Sequence, residues 1–183
     1  TFTSHVYFTG QLTLASGSIL NQTGSPSVFV TQSLPIVPSD ATYNVANTRI
    51  AGDITMLAPL TLPAVVSDLF VEPGFQLVVN GNRLEVGDKL FVTTSNIPGD
   101  GLIMQNAADE VVVNGDALFT TSPSHASAFS TGNYADGILR IRGDFTQTRN
   151  GATSNTGSFI STGTTVIFEG ASPQTVQFDF PSL

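Results

Sequence analysis

The chain has 183 residues, enough to bury a substantial core in one continuous body, and no cysteine, which excludes a disulfide framework and any Cys-ligated zinc or iron–sulfur site. Fourteen acidic against six basic residues give a net charge of −8, which repels a phosphate backbone and argues against nucleic acid as a partner. Only 11% of residues are charged, so the polar surface is built from Ser, Thr, Asn and Gln, a composition that fits secretion better than a cytosolic enzyme.

Residues 2–15 alternate: Phe2, Ser4, Val6 and Phe8 mark one face with Tyr7 opposite, and Leu12-Thr13-Leu14 resumes after a turn at Gly10. From Ser16 to Asp40 the text becomes rich in Ser, Gly, Pro and Gln, interrupted by Val28-Phe29-Val30 and Leu34-Pro35-Ile36, and predicts a loop excursion with edge strands at most. Asn21-Gln22-Thr23 matches the glycosylation acceptor pattern, a short motif that often arises by chance. Tyr43-Asn44-Val45 and Ile50 to Met56 return to strand-like alternation, and Gly52-Asp53 reads as a degenerate first copy of the repeat described next. The reading divides the chain into 1–50, irregular strands packing on the remainder, and 51–183, the repeats.

Between Leu84 and Thr148 one phrase occurs three times. Leu84-Glu85-Val86-Gly87-Asp88 leads into Lys89-Leu90-Phe91-Val92-Thr93-Thr94. Val111-Val112-Val113-Asn114-Gly115-Asp116 leads into Ala117-Leu118-Phe119-Thr120-Thr121, and Leu139-Arg140-Ile141-Arg142-Gly143-Asp144 into Phe145-Thr146-Gln147-Thr148. The three aspartates are evenly spaced along the chain. Each copy joins an alternating strand to a second, Phe- and Thr-rich strand through a Gly-Asp break, the requirement of a stacked β-coil with a corner. Asn80-Gly81 would signal a hairpin in isolation, but the periodicity beyond it predicts a corner. The polar linkers around Gly99 to Gly101, Ser122 to Asn133 and Asn150 to Gly157 follow successive copies and predict excursions from one side of the stack. The first copy lacks the residue that Asn114 and Arg142 supply, so its corner is tighter, and it should sit where the stack adapts to the irregular N-terminal portion. No window carries a capped helical stripe. The fold class expected is all-β, a parallel β-helix (β-solenoid) with an irregular N-terminal portion, the alternative being a β-sandwich.

Residues 137–147, Ser158-Phe159, Thr162-Gly163-Thr164-Thr165-Val166-Ile167-Phe168-Glu169-Gly170 and Pro173-Gln174-Thr175-Val176-Gln177-Phe178 resemble the repeat text of large secreted bacterial surface proteins with β-solenoid regions, often beside Ig-like modules. That resemblance covers residues 69–183 better than 1–50. The resemblance implies a right-handed parallel β-helix exported to the cell surface, with a structural or adhesive role and no inherited catalytic residues.

The candidate chemistry lies at the corners. If the repeat interval makes a whole number of coils, Asp88, Asp116 and Asp144 form a column that could hold Ca²⁺ or, as a carboxylate pair, cleave a glycan. The plainer reading makes Gly-Asp a corner, with glycine at positive φ and the aspartate capping backbone N–H groups. Arg142-Gly143-Asp144 matches an integrin-binding tripeptide, but it falls on this corner instead of a loop tip. His5 and His125 are the only histidines, and no Gly-x-Ser-x-Gly elbow accompanies either. Threonines at 93–94, 120–121, 146, 148 and 164–165 could form an outward row, although only Thr146 and Thr148 have the Thr-x-Thr spacing an ice-binding ladder wants. The tyrosines are scattered and Trp is absent.

The expectation is a non-enzymatic structural or adhesive segment of an extracellular bacterial protein, a piece of something longer, with no membrane-spanning run and no cofactor apart from the Ca²⁺ option. Its expected partners are further copies, neighbouring domains or surface glycans. A carbohydrate-binding or carbohydrate-cleaving β-helix is the runner-up, and a phage or pilus-like fibre subunit a third reading.

Overall fold

The structure is a computed structural model, and it describes residues 1–22, 27–38, 41–62, 67–95, 97–122, 133–148 and 158–179. Among these there is no helix. Eighteen short strands, numbered in chain order, form four sheets in which every pairing is parallel. The longest sheet runs β1 (Val6–Phe8), β3 (Val28–Val30), β5 (Asn47–Ile50), β8 (Asp68–Val71), β11 (Leu90–Thr94), β14 (Ala117–Thr121), β16 (Phe145–Gln147) and β18 (Val176–Phe178). A second sheet stacks β7 (Leu60–Thr61), β10 (Arg83–Val86), β13 (Glu110–Val113), β15 (Ile138–Ile141) and β17 (Thr165–Phe168). The third holds β6 (Ile54–Thr55), β9 (Gln76–Val78) and β12 (Gly101–Ile103), and the fourth pairs β2 (Ile19–Asn21) with β4 (Thr42–Asn44).

Each strand therefore finds its partner one coil away, and consecutive strands belong to different sheets. This is a β-solenoid, and the sandwich alternative falls because antiparallel pairing would be needed. Asn80 and Gly81 do take positive φ, 56° and 76°, but the turn they make carries the chain from β9 to β10 in a different sheet. It is a corner and not a hairpin.

Residues 1–50 enter the stack directly. β1, β3 and β5 extend the long sheet in register, Val6 opposite Val28 and Val28 opposite Thr48, so the N-terminal portion supplies coils of its own instead of only packing against the repeats. Its irregularity lies elsewhere. β4 pairs with β2 but not with β7, and β6 is the edge of the three-stranded sheet, so only the long sheet passes unbroken from the first coils to the rest.

Coil length also divides the molecule. Early coils are short, as in the steps from Val28 to Thr48 and from Leu69 to Leu90, whereas the steps from Leu90 to Ala117 and from Ala117 to Phe145 are distinctly longer. The tight first copy of the repeat opens the long coils. Compared with the β8–β9 and β9–β10 connections, residues are added both between β11 and β12 and between β12 and β13; the linkers expected at 123–132 and 149–157 lie outside the described residues.

Burial alternates along β5, β8, β10, β11, β14 and β15, whereas β12 is buried throughout and β18 exposed throughout. Leu69, Leu84, Leu90 and Val111 are fully buried, each worth about 1.5–3 kcal/mol when removed from water. The short coils are filled by Val, Ile and Leu together with Tyr43 and Met56. The long coils enclose a wider interior, filled by Phe119, Tyr134, Phe145 and Phe159 with ring centroids 4.4–5.8 Å apart.

Candidate functional site

The Gly-Asp corners lie where the five-stranded sheet turns into the long sheet. Their geometry is set by register. Leu84 pairs with Val111 and Leu90 with Ala117, whereas Val111 pairs with Leu139 and Ala117 with Phe145, a step longer by a single residue. Equal spacing in sequence thus fails to give a column of three. Asp116 and Asp144 stack, but Asp88 falls one position behind and lies against Gly115, whose N–H donates to the Asp88 carbonyl at 2.8 Å. The neighbour presented to Asp116 by the preceding coil is Lys89, whose Nζ sits 2.9 Å from Asp116 Oδ2.

The carboxylates act as caps between coils. Asp68 Oδ1 accepts the Lys89 N–H at 3.1 Å, Asp116 Oδ1 the Asp144 N–H at 3.0 Å, and Asp144 Oδ1 the Thr175 N–H at 2.8 Å. The Asp144 N–H, and then Lys89, hold the Asp116 carboxyl below its usual range, while burial pushes Asp68 up. Among the described residues no group of three His, Cys, Asp or Glu side chains is placed to hold a metal ion.

Glycine serves these corners for a different reason from the one expected. Gly115 and Gly143 are not among the positive-φ glycines. A Cβ on Gly143 would lie 2.4 Å from the Gly115 carbonyl carbon, and one on Gly115 would lie 2.4 Å from Asp88 Oδ1. Close approach of successive coils, not a left-handed backbone, requires them. Gly52-Asp53 is not a copy: it follows β5 at another corner, and the residue stacked beneath Asp88 is Ser67, whose carbonyl accepts the Asp88 N–H at 3.1 Å.

The tripeptide Arg142-Gly143-Asp144 is held within the stack. Arg142 pairs with Glu169 at 3.2 Å and also donates to Asn114 Oδ1. Beside it runs a charge ladder across the outside of the five-stranded sheet, Arg83 to Glu110, Glu110 to Arg140 at 2.9 Å, and Arg140 to Glu169 at 3.1 Å. Arg83 and then Arg140 hold Glu110 below the usual carboxylate range. Sequence reading missed this ladder, because its members lie a whole coil apart in the chain and become neighbours only through the coil register.

His5 is exposed at the first coil, where its Nδ1 accepts the Ser27 N–H at 2.8 Å; His125 lies outside the described residues. Asn21 sits in β2 and accepts an Asn44 side-chain bond at 3.0 Å, while Thr23 is not among the described residues. The threonine rows separate: Thr94 and Thr121 are buried, whereas Thr120 and Thr148 point outward and bond to each other at 3.0 Å.

A second unforeseen feature lies on the outside of the long sheet. Register stacks Tyr7, Phe29, Arg49, Phe70, Phe91 and Leu118 in one column. Tyr7 and Phe29 are parallel at 4.5 Å, as are Phe70 and Phe91, and the Arg49 guanidinium lies 4.0 Å from the Phe70 centroid. Within each stacked pair the facing ring surfaces are occupied, which leaves the outer face of Tyr7, 64% exposed, as an open ring face at the end of the column. Where the minor sheets are interrupted, Pro35, Ile36, Met56, Leu57, Pro59 and Leu60 help line an apolar cleft of about 110 Å³.

Comparison of the chain with protein-family models, with curated proteins and with solved structures finds no match. No helix among the described residues is long and apolar enough to cross a membrane.

Proposed function

We propose that this chain is a structural or adhesive segment of an extracellular bacterial surface protein, a non-catalytic solenoid spacer whose coils assemble end to end. The observation that carries the reading is the use made of the corner carboxylates: Asp68, Asp116 and Asp144 each bind a backbone N–H of the following coil. Two of the three repeated acids, Asp116 and Asp144, and Asp68 in the same column are thereby committed to coil-to-coil cohesion, as are the Arg–Glu pairs beside them. A surface with little charge and much Ser, Thr and Asn suits the exterior of a cell.

The test has two arms. Antibody against this chain should label intact cells of the bacterium that encodes it, and labelling only after permeabilisation would overturn the location. Incubation with a panel of polysaccharides should release no reducing ends. Release that disappears in Asp116→Asn would overturn the non-catalytic reading in favour of a glycan-cleaving β-helix.

A further inference from the structure

Both ends of the long sheet are free among the described residues, β1 at one edge and β18 at the other. A parallel edge strand presents alternate residues' N–H and C=O groups outward, a template for another strand. At the first edge, Val6 N donates to Ser27 and Phe8 O accepts from Thr31, so Val6 and Phe8 face into the sheet and Tyr7 faces out. At the other edge, Thr175 O accepts from Phe145 and Asp179 N donates to Gln147. These residues face in, which leaves Val176 and Phe178 facing out.

The two edges are in phase. Placing Gln177 opposite Tyr7 lets the Tyr7 N–H donate to the Val176 carbonyl and the Phe178 N–H donate to the Tyr7 carbonyl, the pattern repeated at every pairing of this sheet. Side chains agree with the backbone. Val176-Gln177-Phe178 and Val6-Tyr7-Phe8 carry the same alternation with the same apolar residues at the core positions. Val176 and Phe178 occupy columns that are buried in the preceding coil at Phe145 and Gln147, yet they are 44% and 46% exposed, and Phe168 above the buried Ile141 is 41% exposed. At the opposite end one face of the Tyr7 ring stacks on Phe29 while the residue stays 64% exposed. Each end lacks what the other supplies.

We infer that a second copy of this chain docks head to tail, its β1 continuing the long sheet beyond β18 in the register Val176 to Val6, Gln177 to Tyr7 and Phe178 to Phe8. The inference rests on the assembling-segment reading and names its partner and joint. A heterologous contact of this kind does not close, so it generates a linear filament.

The chain itself, purified at rising concentration, should form particles that lengthen by light scattering and appear as unbranched rods in negative stain. Two variants block one end each: Phe178→Lys places a charge at an already exposed core position, and Tyr7→Pro removes the outward donor of β1 without touching a bond inside the sheet. Each variant alone should stay monomeric with a β-type circular dichroism spectrum, and their mixture should give a one-to-one dimer. Because the chain has no cysteine, Gln177→Cys mixed with Tyr7→Cys should also crosslink on oxidation, their Cα atoms being about one strand spacing of 4.8 Å apart. A wild-type chain that stays monomeric to about 1 mM, a level that even a weak joint would reach, overturns the inference. So does assembly of either folded variant by itself, or the absence of the crosslink. None of these outcomes alters the labelling and polysaccharide results, so the joint can fail while the surface role stands.

Discussion

The first coils and the last coils of this solenoid solve the same packing problem with different materials. The short early coils enclose a narrow interior that Val28, Val30, Ile50 and Leu69 fill, and from the first of them, those before β6 and β7, only the long sheet continues without a break. The longer coils from Leu90 onward enclose more space, fill it with aromatic rings, and carry the Arg–Glu ladder outside. Widening a solenoid coil thus goes with larger core residues, while ion pairs between coils occur in both regions, as Arg49–Glu72 in the short coils shows. Stability should therefore be concentrated in the long coils.

The sharpest way to break the comparison is to remove one core side chain from each region. Phe119→Ala takes a ring from a cluster of four, and should cost about 3–5 kcal/mol, the range for buried Phe. Ile50→Val in a short coil should cost about 0.5–1.5 kcal/mol. Urea midpoints at constant m-value would measure both. Equal losses, although Phe119→Ala deletes a whole ring and Ile50→Val a single methyl, would mean that the aromatic cluster is packed less well than the aliphatic coils.

Glycine gives the next effect. Gly143→Ala drives a Cβ against the Gly115 backbone, which cannot yield as a flexible side chain would, and overpacking of this kind costs about 1–3 kcal/mol. Gly10 has nothing within 4 Å and no positive φ, so Gly10→Ala should be neutral or stabilise by up to about 1 kcal/mol through the unfolded chain. Thermal melting of the two variants separates close coil approach from a mere preference for glycine in turns.

Much of this was legible in the sequence and some was not, for a definable reason. Strand-turn-strand alternation and the recurring Gly-Asp phrase identify a stacked coil, because both are local properties. Register is not local. The even sequence interval places Asp88 beneath Asp116, but the residue missing beside Val86 shortens that coil by one and brings Lys89 there instead. The same blindness hid the Tyr7–Phe29 and Phe70–Phe91 stacks and the Glu110 ion pairs, whose members are neighbours only across coils. Residues 16–40 read as an excursion because prolines and polar residues dilute their apolar pattern, yet Val28 and Val30 keep the core alternation that places β3 in the long sheet.

Acid should act on the long coils through the same pairs. Folding depresses the Glu110 carboxyl through Arg83 and Arg140, and the Asp116 carboxyl through the Asp144 N–H and Lys89. A depressed folded value contributes stability that is present above the ordinary carboxylate range, near pH 4, and is lost as pH falls through the lower folded value. Solvent screening limits each exposed pair to about 0.2–1 kcal/mol. Asp68, raised mainly by burial, acts with opposite sign: its contribution declines as pH rises from the ordinary value through the raised one. Glu110→Gln should flatten the acid limb of a stability-against-pH curve below about pH 4, whereas Asp68→Asn should act above that range, between the ordinary and the raised Asp68 values, where it removes a decline of stability with rising pH. An acid limb unchanged by Glu110→Gln would place the acid sensitivity elsewhere.

Two buried tyrosines carry the comparison to its smallest effect. Tyr43, in the short coils, and Tyr134, in the long coils, are both fully buried. The Tyr43 hydroxyl bonds to Thr48 Oγ1 at 3.0 Å, and burial pushes its pKa up to about 12. The Tyr134 hydroxyl has no partner among the described residues, and burial followed by the Asp100 carboxylate raises its pKa. Tyr43→Phe removes a bond and leaves the Thr48 hydroxyl buried without it, a loss of about 1–3 kcal/mol. Tyr134→Phe removes a buried polar atom that gains nothing from its surroundings while leaving the ring against Phe119 and Phe159, so its effect should lie within about 0.5 kcal/mol of zero or be slightly stabilising. The same hydroxyl, deleted from the narrow region and from the wide one, thus separates two roles for tyrosine in this solenoid. In the short coils the phenol oxygen joins β4 to β5 across the corner between them, whereas in the long coils the ring alone fills the space that extra residues per coil have opened. A loss at Tyr134→Phe as large as that at Tyr43→Phe would show that the Tyr134 oxygen is bonded, with Asp100 Oδ1, itself buried and without a partner among the described residues, as the acceptor to examine.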